Sequence, residues 1–333
     1  MPRIVRLRAL GGVEELKFEE VAPQEPGPGE VRLKVKAIGL NRAEVLFRQG
    51  MYLETPKLPA RIGYEASGYV DKVGEGVSDF KVGDYVSTIP AFAQSQYGVY
   101  GEEAVVPARA LSHVPSSFTP AEAASIWMQY LTACGALIEI GKLQKGQYVV
   151  VTAASSSVGL AAIQVIKDAG AVSIVTTRTA KKRDALLKAG ADHVVIMDEE
   201  KLSERVMQIT NNKGADMIFD SVAGPLMTEL AKAAKLEAQI FVYGALSLET
   251  TPFPFKLGLK KGLIIRGFTM FLITDDEERY ERVRKYVTER IESGAYKPVV
   301  DSKTFDLDHL GDSHTYMESN QQFGKITVQV NSN

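Results

Sequence analysis

The sequence predicts a two-domain α/β protein: a compact β-barrel-like domain with long loops, and a doubly wound parallel sheet. Three observations carry this expectation. At 333 residues the chain exceeds what a single hydrophobic core usually organises. Its early segments are short, alternating and punctuated by Gly and Pro, whereas from Tyr148 apolar strands alternate with amphipathic helices. At the join, residues 147–177 run an apolar strand, a small-residue turn, a helix and a second strand, which is the entry of a βαβ unit.

Taken in order, residues 1–6 alternate charge with apolar side chains as a first strand does. Val31–Ile38, Gly68–Val73, Asp84–Ser87 and Glu103–Val106 are further short strands of the first domain. Ala121–Ile140 reads as mostly helical, with Pro120 at its mouth and Gly141 at its end. Six strands of the second domain follow: Tyr148–Thr152, Val172–Thr177, His193–Ile196, Ala215–Phe219, Gln239–Tyr243 and Leu263–Arg266. Between them lie helices at Leu160–Ile166, Arg183–Ala189, Leu202–Thr210 and Pro225–Leu236. A charged helix, Asp275–Gly294, and a last strand, Lys325–Val330, form a tail that reads as rejoining the first domain. The expected boundaries are residues 1–125, completed by 270–333, and 126–269.

Composition narrows the classes. A net charge of −2 offers no basic field for nucleic acid. No apolar run is expected to reach the length of a membrane span, and the N-terminus lacks a signal peptide's apolar core, so the expected location is the cytoplasm. Cys134 is the single cysteine, which excludes an intrachain disulfide and any multi-cysteine zinc site. It reads as a small buried apolar residue.

The turn after Tyr148–Thr152 is built from Ala153, Ala154, Ser155, Ser156, Ser157, Val158 and Gly159. Small residues are required where a dinucleotide's pyrophosphate lies against backbone at the positive end of a helix. The three serines also offer hydroxyls to phosphate. An acidic residue at the end of the second strand would hold the ribose hydroxyls of NAD; here stand Thr177 and Arg178, with Lys181 and Lys182 close by. A cation there suits a 2′-phosphate, so the expected cofactor is NADPH.

Several segments occur in an order that resembles the medium-chain dehydrogenase/reductase superfamily, within it the zinc-free quinone oxidoreductase branch. They are Ala37-Ile38-Gly39-Leu40-Asn41, Arg48-Gln49-Gly50-Met51-Tyr52, Gly63-Tyr64-Glu65-Ala66-Ser67-Gly68, Val82-Gly83-Asp84-Tyr85-Val86, Leu131-Thr132-Ala133, the Ala154–Gly159 turn, Gly190-Ala191-Asp192 and Phe323-Gly324-Lys325-Ile326. The resemblance implies a GroES-like barrel followed by a Rossmann domain, commonly a homodimer. It also implies Thr132, Gly244, Phe268 and Lys325 as cofactor contacts beside the turn residues, Thr177, Arg178 and Lys182. Zinc-dependent members carry a Cys near the Asn41 position and a His where Tyr64 stands, and the structural-zinc cysteines are absent, so no metal is expected.

Without a Lewis acid, the hydride acceptor must be reactive by itself: a quinone, or an alkene conjugated to a carbonyl. The polar groups expected to steady its developing oxyanion are Asn41, Tyr52 and Tyr64. Asn41 also suits the cap of a helix starting at Arg42, and Tyr64 a buried aromatic anchor. The branch also resembles enoyl-thioester reductases and low-turnover NADPH-binding crystallins, which stand as alternatives.

Overall fold

The computed structural model describes residues 1–331. The chain forms two compact units: Gln129–Lys297, and Met1–Met128 together with the chain from Pro298 onward.

The Gln129–Lys297 unit is organised on six strands, Tyr148–Val151, Val172–Thr177, His193–Ile196, Ala215–Asp220, Ala234–Val242 and Ile264–Gly267. Every pairing is parallel, and the strands, numbered along the chain, lie in the order 3-2-1-4-5-6. Val149, Val150 and Val151 are fully buried. A parallel sheet is covered on both faces, so its strands read as unbroken apolar runs. Leu202 and Val206 of helix Leu202–Ile209, and Leu230 of helix Met227–Ala233, pack in one core with Val150, Ile174, Ile218 and Ile240. The first strand has the second on one side and the fourth on the other. This reversal opens the crevice where the architecture takes ligands.

Three expectations about elements change. Helix Glu277–Glu292 stays with this unit instead of opening the return to the first. Arg290 Nε and Tyr286 Oη donate to Asp168 Oδ2 at 2.6 and 3.1 Å. Arg282 pairs with Glu139 at 2.7 Å, and Tyr296 stacks on Tyr130 at a centroid distance of 4.9 Å. These contacts move the return point from residue 270 to Pro298, and the other boundary falls after Met128.

The helix expected over Pro225–Leu236 stops at Ala233, because Ala234 already pairs with Ala215 as the start of the fifth strand. The 120–140 segment is a one-turn α-helix Pro120–Ala123, an α-helix Trp127–Cys134 and a π-helical stretch Gly135–Ile140. At the break Ser125 Oγ donates to Ala121 O at 2.6 Å. Pro120–Ile140 is, at 21 residues, long and apolar enough to cross a bilayer, contrary to the expectation that no run reaches that length; 83% of its apolar window is buried inside the protein.

The other unit carries a mainly antiparallel seven-stranded sheet. Its order is Phe305–Asp306, Thr327–Gln329, Glu30–Gly39, Glu65–Val73, Tyr85–Thr88 and Leu111–His113, with Glu103–Pro107 on the first half of Glu30–Gly39. Val31, Leu33, Val35 and Ala37 point inward, in the two-residue period of a half-buried strand. Thr327–Gln329 pairs antiparallel with Ala37–Gly39, so the tail does rejoin the first unit, as the sequence suggested.

Candidate active site

In the first unit, strand Glu30–Gly39 ends at Leu40 and helix Arg42–Arg48 begins, with Asn41 as its N-cap. Glu44, three residues on, accepts the Asn41 backbone N–H at 2.7 Å, which completes a capping box. Asn41 Nδ2 donates to Glu44 Oε1 at 3.2 Å and to Glu65 Oε2 at 3.1 Å. Lys325 arrives from the tail, and its ammonium donates to both Glu65 Oε2 and Asn41 Oδ1. Glu65 Oε1 accepts the backbone N–H of Met128 at 2.9 Å, satisfying an amide in the first turn of helix Trp127–Cys134.

Glycine makes the cluster possible: a Cβ on Gly39 would strike the Ala124 carbonyl and come within 2.9 Å of Lys325 Cε. Asn41, Glu44, Glu65 and Lys325 are all buried. Two acids share one ammonium there. Burial pushes the Glu44 carboxyl up to about 7, against the opposing pull of Lys325 and the donated hydrogen bonds. The expected helix-cap role of Asn41 is thus seen, and its side chain also joins a buried polar cluster.

Tyr64 precedes Glu65 and is fully buried. Gly63, at φ +103°, leaves the space that the Tyr100 ring occupies. The Tyr64 ring lies edge-on to Tyr52 at 6.3 Å and near Phe92 at 5.9 Å. Its hydroxyl donates to Glu54 Oε2 at 3.2 Å, and the hydroxyls of Tyr64 and Tyr52 are hydrogen-bonded. Glu54 is held in turn by the backbone N–H groups of Gln94 and Ser95, each at 3.0 Å. Desolvation raises the pKa of both phenols, so each keeps its proton at neutral pH.

The second unit presents the small-residue turn. Ala153 takes φ +46°, a left-handed conformation unusual for alanine, and turns the chain off the first strand. Ser156 caps helix Ser157–Asp168, its hydroxyl accepting Gly159 N–H at 3.1 Å. A Cβ on Gly159 would lie 2.6 Å from Ala154 Cα, so this glycine lets helix and turn approach. Ser157 and Val158, in the first turn beside it, are half-buried. Lys182 Nζ donates to Ser155 Oγ at 3.1 Å, which joins the segment after the second strand to the turn, while Arg178 is exposed beside buried Thr177.

Around the switch point, Thr152 Oγ1 donates to Asp220 Oδ1 at 2.6 Å, and Asp220 also accepts the backbone N–H groups of Val222 and Ala223. A Cβ on Gly244 would meet the Ser221 carbonyl at 3.0 Å. The hydroxyls of Tyr243 and Ser221 are buried beside Ser156, and neither makes a hydrogen bond of good geometry among the described residues. Thr132 is buried on helix Trp127–Cys134, and Phe268 is buried edge-on to Phe241. A cradle that only glycine permits and two unsatisfied buried hydroxyls fit a dinucleotide.

Asn41, Tyr52, Tyr64 and Lys325 therefore gather in the first unit, and the remaining candidates in the second. The resemblance grouped Lys325 with the cofactor; the structure places its ammonium on Glu65 and Asn41. Glu44, Glu54 and Glu65 were missed. Glu65 lies inside the Gly63–Gly68 motif and Glu44 at the third position after an N-cap Asn, so both had a local signal; Glu54 had none. This donor set does not fit zinc: Asn41 and Glu65 are bonded to an ammonium, and Tyr64 turns to Glu54. Among the described residues no group of three or more His, Cys, Asp or Glu is placed to hold a metal.

The alcohol dehydrogenase GroES-like domain matches residues 27–116, and the zinc-binding dehydrogenase domain, so described, residues 157–288. Quinone oxidoreductase 1 of Escherichia coli is 30% identical over 317 residues, covering 93% of this chain and 94% of that one. The rat synaptic vesicle membrane protein VAT-1 homolog is 29% identical over 344 residues, 98% of this chain and 83% of its own. Among solved structures, an NAD-dependent alcohol dehydrogenase superposes with a TM-score of 0.91 at 31% identity, covering 99% and 100% of the two chains. Escherichia coli quinone oxidoreductase complexed with NADPH superposes with a TM-score of 0.89 at 28% identity, covering 98% and 99%. With the parallel sheet, the glycine-dependent turn and the Asn41–Glu65 cluster, these likenesses show that the chain belongs to the medium-chain dehydrogenase/reductase superfamily, in its quinone oxidoreductase branch.

Proposed function

We propose that this chain is an NADPH-dependent, zinc-independent reductase whose hydride acceptor is a quinone or a conjugated enone. The observation that carries the acceptor class is the Lys325 ammonium on Glu65 and Asn41. Asn41 and Tyr64 stand where the resemblance puts a Cys and a His in zinc-dependent members, and they are taken up by Lys325 and Glu54, so the acceptor must take hydride without a Lewis acid. Bound NADPH supplies the hydride. Tyr52, half-buried and backed by Tyr64, offers a hydroxyl to the oxyanion that develops on the acceptor.

Preference for the phosphorylated cofactor rests on Arg178 and on Lys182, which reaches Ser155. Ser155, Ser156 and Ser157, with the Ser157 and Val158 amides at the helix start, would hold the pyrophosphate, and Gly159 lets helix and turn approach. Thr132, Gly244 and Phe268 are assigned to the cofactor's remaining surface. The solved relative with NADPH supports this assignment, and the NAD-dependent one marks the alternative that Arg178 disfavours.

The reading extends to a homodimer. Strand Ile264–Gly267 is an edge of the parallel sheet, and Leu248, Phe253, Phe255 and Leu259, in the segment leading into it, are exposed together with its own Ile264. An apolar edge of this kind is satisfied by the same strand of a second copy about a two-fold axis. Light scattering on wild type and Ile264→Lys tests it, with a monomeric wild type as the contrary result.

Steady-state oxidation of NADPH decides the function. Turnover with 1,2- or 1,4-quinones or simple enones, but not with crotonyl thioesters, is expected, with no stoichiometric zinc by metal analysis. Tight NADPH binding without turnover of any acceptor refutes the reductase reading.

A further inference from the structure

Glu54 is a half-buried acid on the loop after Gly50, and its hydrogen bonds have a direction. An ionised carboxylate only accepts. Glu54 accepts from Gln94 N–H, Ser95 N–H and the Tyr64 hydroxyl. With its one hydrogen committed to Glu54, Tyr64 can only accept from Tyr52, so the chain of hydroxyls runs Tyr52 to Tyr64 to Glu54 and points away from an acceptor. A protonated Glu54 reverses it: Glu54 donates to Tyr64, Tyr64 to Tyr52, and Tyr52 outward.

We propose that Glu54 is the outer terminus of a proton relay, Glu54–Tyr64–Tyr52, that delivers the proton accompanying hydride transfer. The proposal rests on the reductase reading above. The acceptor carbon gains the hydride and its electron pair, supplied by NADPH, which is left as NADP⁺. The acceptor's carbonyl oxygen, now an oxyanion, forms an O–H bond as the Tyr52 O–H breaks. Tyr64 returns a proton to Tyr52, Glu54 returns one to Tyr64, and the Glu54 carboxylate takes a proton from solvent water. Tyr52 touches the acceptor; Glu54 is a positioning residue acting through Tyr64.

The charged group facing both phenols from the other side is Glu44, on helix Arg42–Arg48, with Lys325 beyond it and the Tyr100 phenol close by. On the outer side, Phe92 and Gln94 carry no charge. Two acids therefore compete to explain any pH dependence, and substitution separates them.

The experiment compares wild type, Glu54→Gln, Tyr64→Phe and the double variant as intact proteins, with 1,4-benzoquinone and cyclohex-2-enone as acceptors. The wild-type kcat is expected to fall as pH rises through a single ionisation. Glu54→Gln is expected to abolish that ionisation and lower kcat on the order of 100-fold, the scale of a lost general acid. Tyr64→Phe, which keeps the ring, should match it, and the double variant should lose no more than either single one. NADPH affinity, read by fluorescence titration, should be the same in all four. The relay is overturned if Glu54→Gln leaves the ionisation in place, which would assign it to Glu44, or if the two losses multiply. No wild-type turnover with either acceptor would overturn the reductase reading, and the relay with it.

Discussion

Replacing Glu44 with Gln should change how the stability of the first unit depends on pH. In the folded protein burial moves the Glu44 carboxyl from 4.5 to about 7. Between those values the folded protein holds a proton that the unfolded chain has released. The contribution is therefore fully present below pH 4.5 and lost as pH rises through 7. Its size is about 3 kcal/mol, at roughly 1.4 kcal/mol per pH unit. Gln is isosteric and can still close the capping box, so the variant loses the titration without losing the helix start.

Urea titrations between pH 4.5 and 8 measure this, followed by the fluorescence of Trp127. This is the single tryptophan; it belongs to the first unit and donates to Ser87 Oγ at 3.0 Å. Wild-type stability minus variant stability should fall by about 3 kcal/mol across that range. His314, buried with its pKa lowered to about 3, adds a dependence of opposite sign below its ordinary value, which cancels in the difference. A difference that stays constant with pH would refute the reasoning, because Glu44 would then be ionised throughout.

Three further outcomes are expected. Arg178→Ala should weaken NADPH binding on the order of 10-fold and leave NADH binding unchanged, as judged by titration calorimetry; equal losses would make Arg178 a surface charge only. Gly159→Ala places a Cβ 2.6 Å from Ala154 Cα, so it should lower thermal stability by roughly 1–3 kcal/mol and weaken NADPH binding; an unchanged affinity would detach the turn from the cofactor. Cys134 is buried, and desolvation pushes its thiol up to about 12, so a disulfide reagent should label it only after unfolding. Labelling of the native protein at the rate of a free thiol would contradict that burial.

Local pattern made the parallel sheet legible. Val172–Thr177 and His193–Ile196 were bounded correctly, because strands buried on both faces announce themselves as apolar runs. The small-residue stretch Ala153–Gly159 was legible as a strand-to-helix entry, although the helix begins at Ser157, inside the expected turn. The charged helix Glu277–Glu292 was legible as a helix but not the unit it packs on, since the Asp168 carboxylate that holds Arg290 lies 122 residues away. The break after Ala124 was equally hidden, because the amide that starts the next helix is satisfied by Glu65 from a distant strand. Glu54 was invisible for the same cause: its hydrogen bonds come from Tyr64 and from two amides at the start of the short helix Gln94–Tyr97. Residues whose partners are near in sequence could be read, and acids that complete a remote hydrogen-bond network could not.

The ammonium of Lys325 meets Asn41 across 284 residues and Glu65 across 260. During synthesis the first 128 residues leave the ribosome long before this lysine exists, so they carry Glu44 and Glu65 without a countercharge. Domains generally fold in order of emergence, but this cluster must wait until residue 325 has been made. A truncated product that ends before residue 325 would hold two acids with no cation to bury beside them, and would expose itself to proteolysis. The buried cluster thus couples two distant stretches of synthesis: only a chain translated past residue 325 can close it.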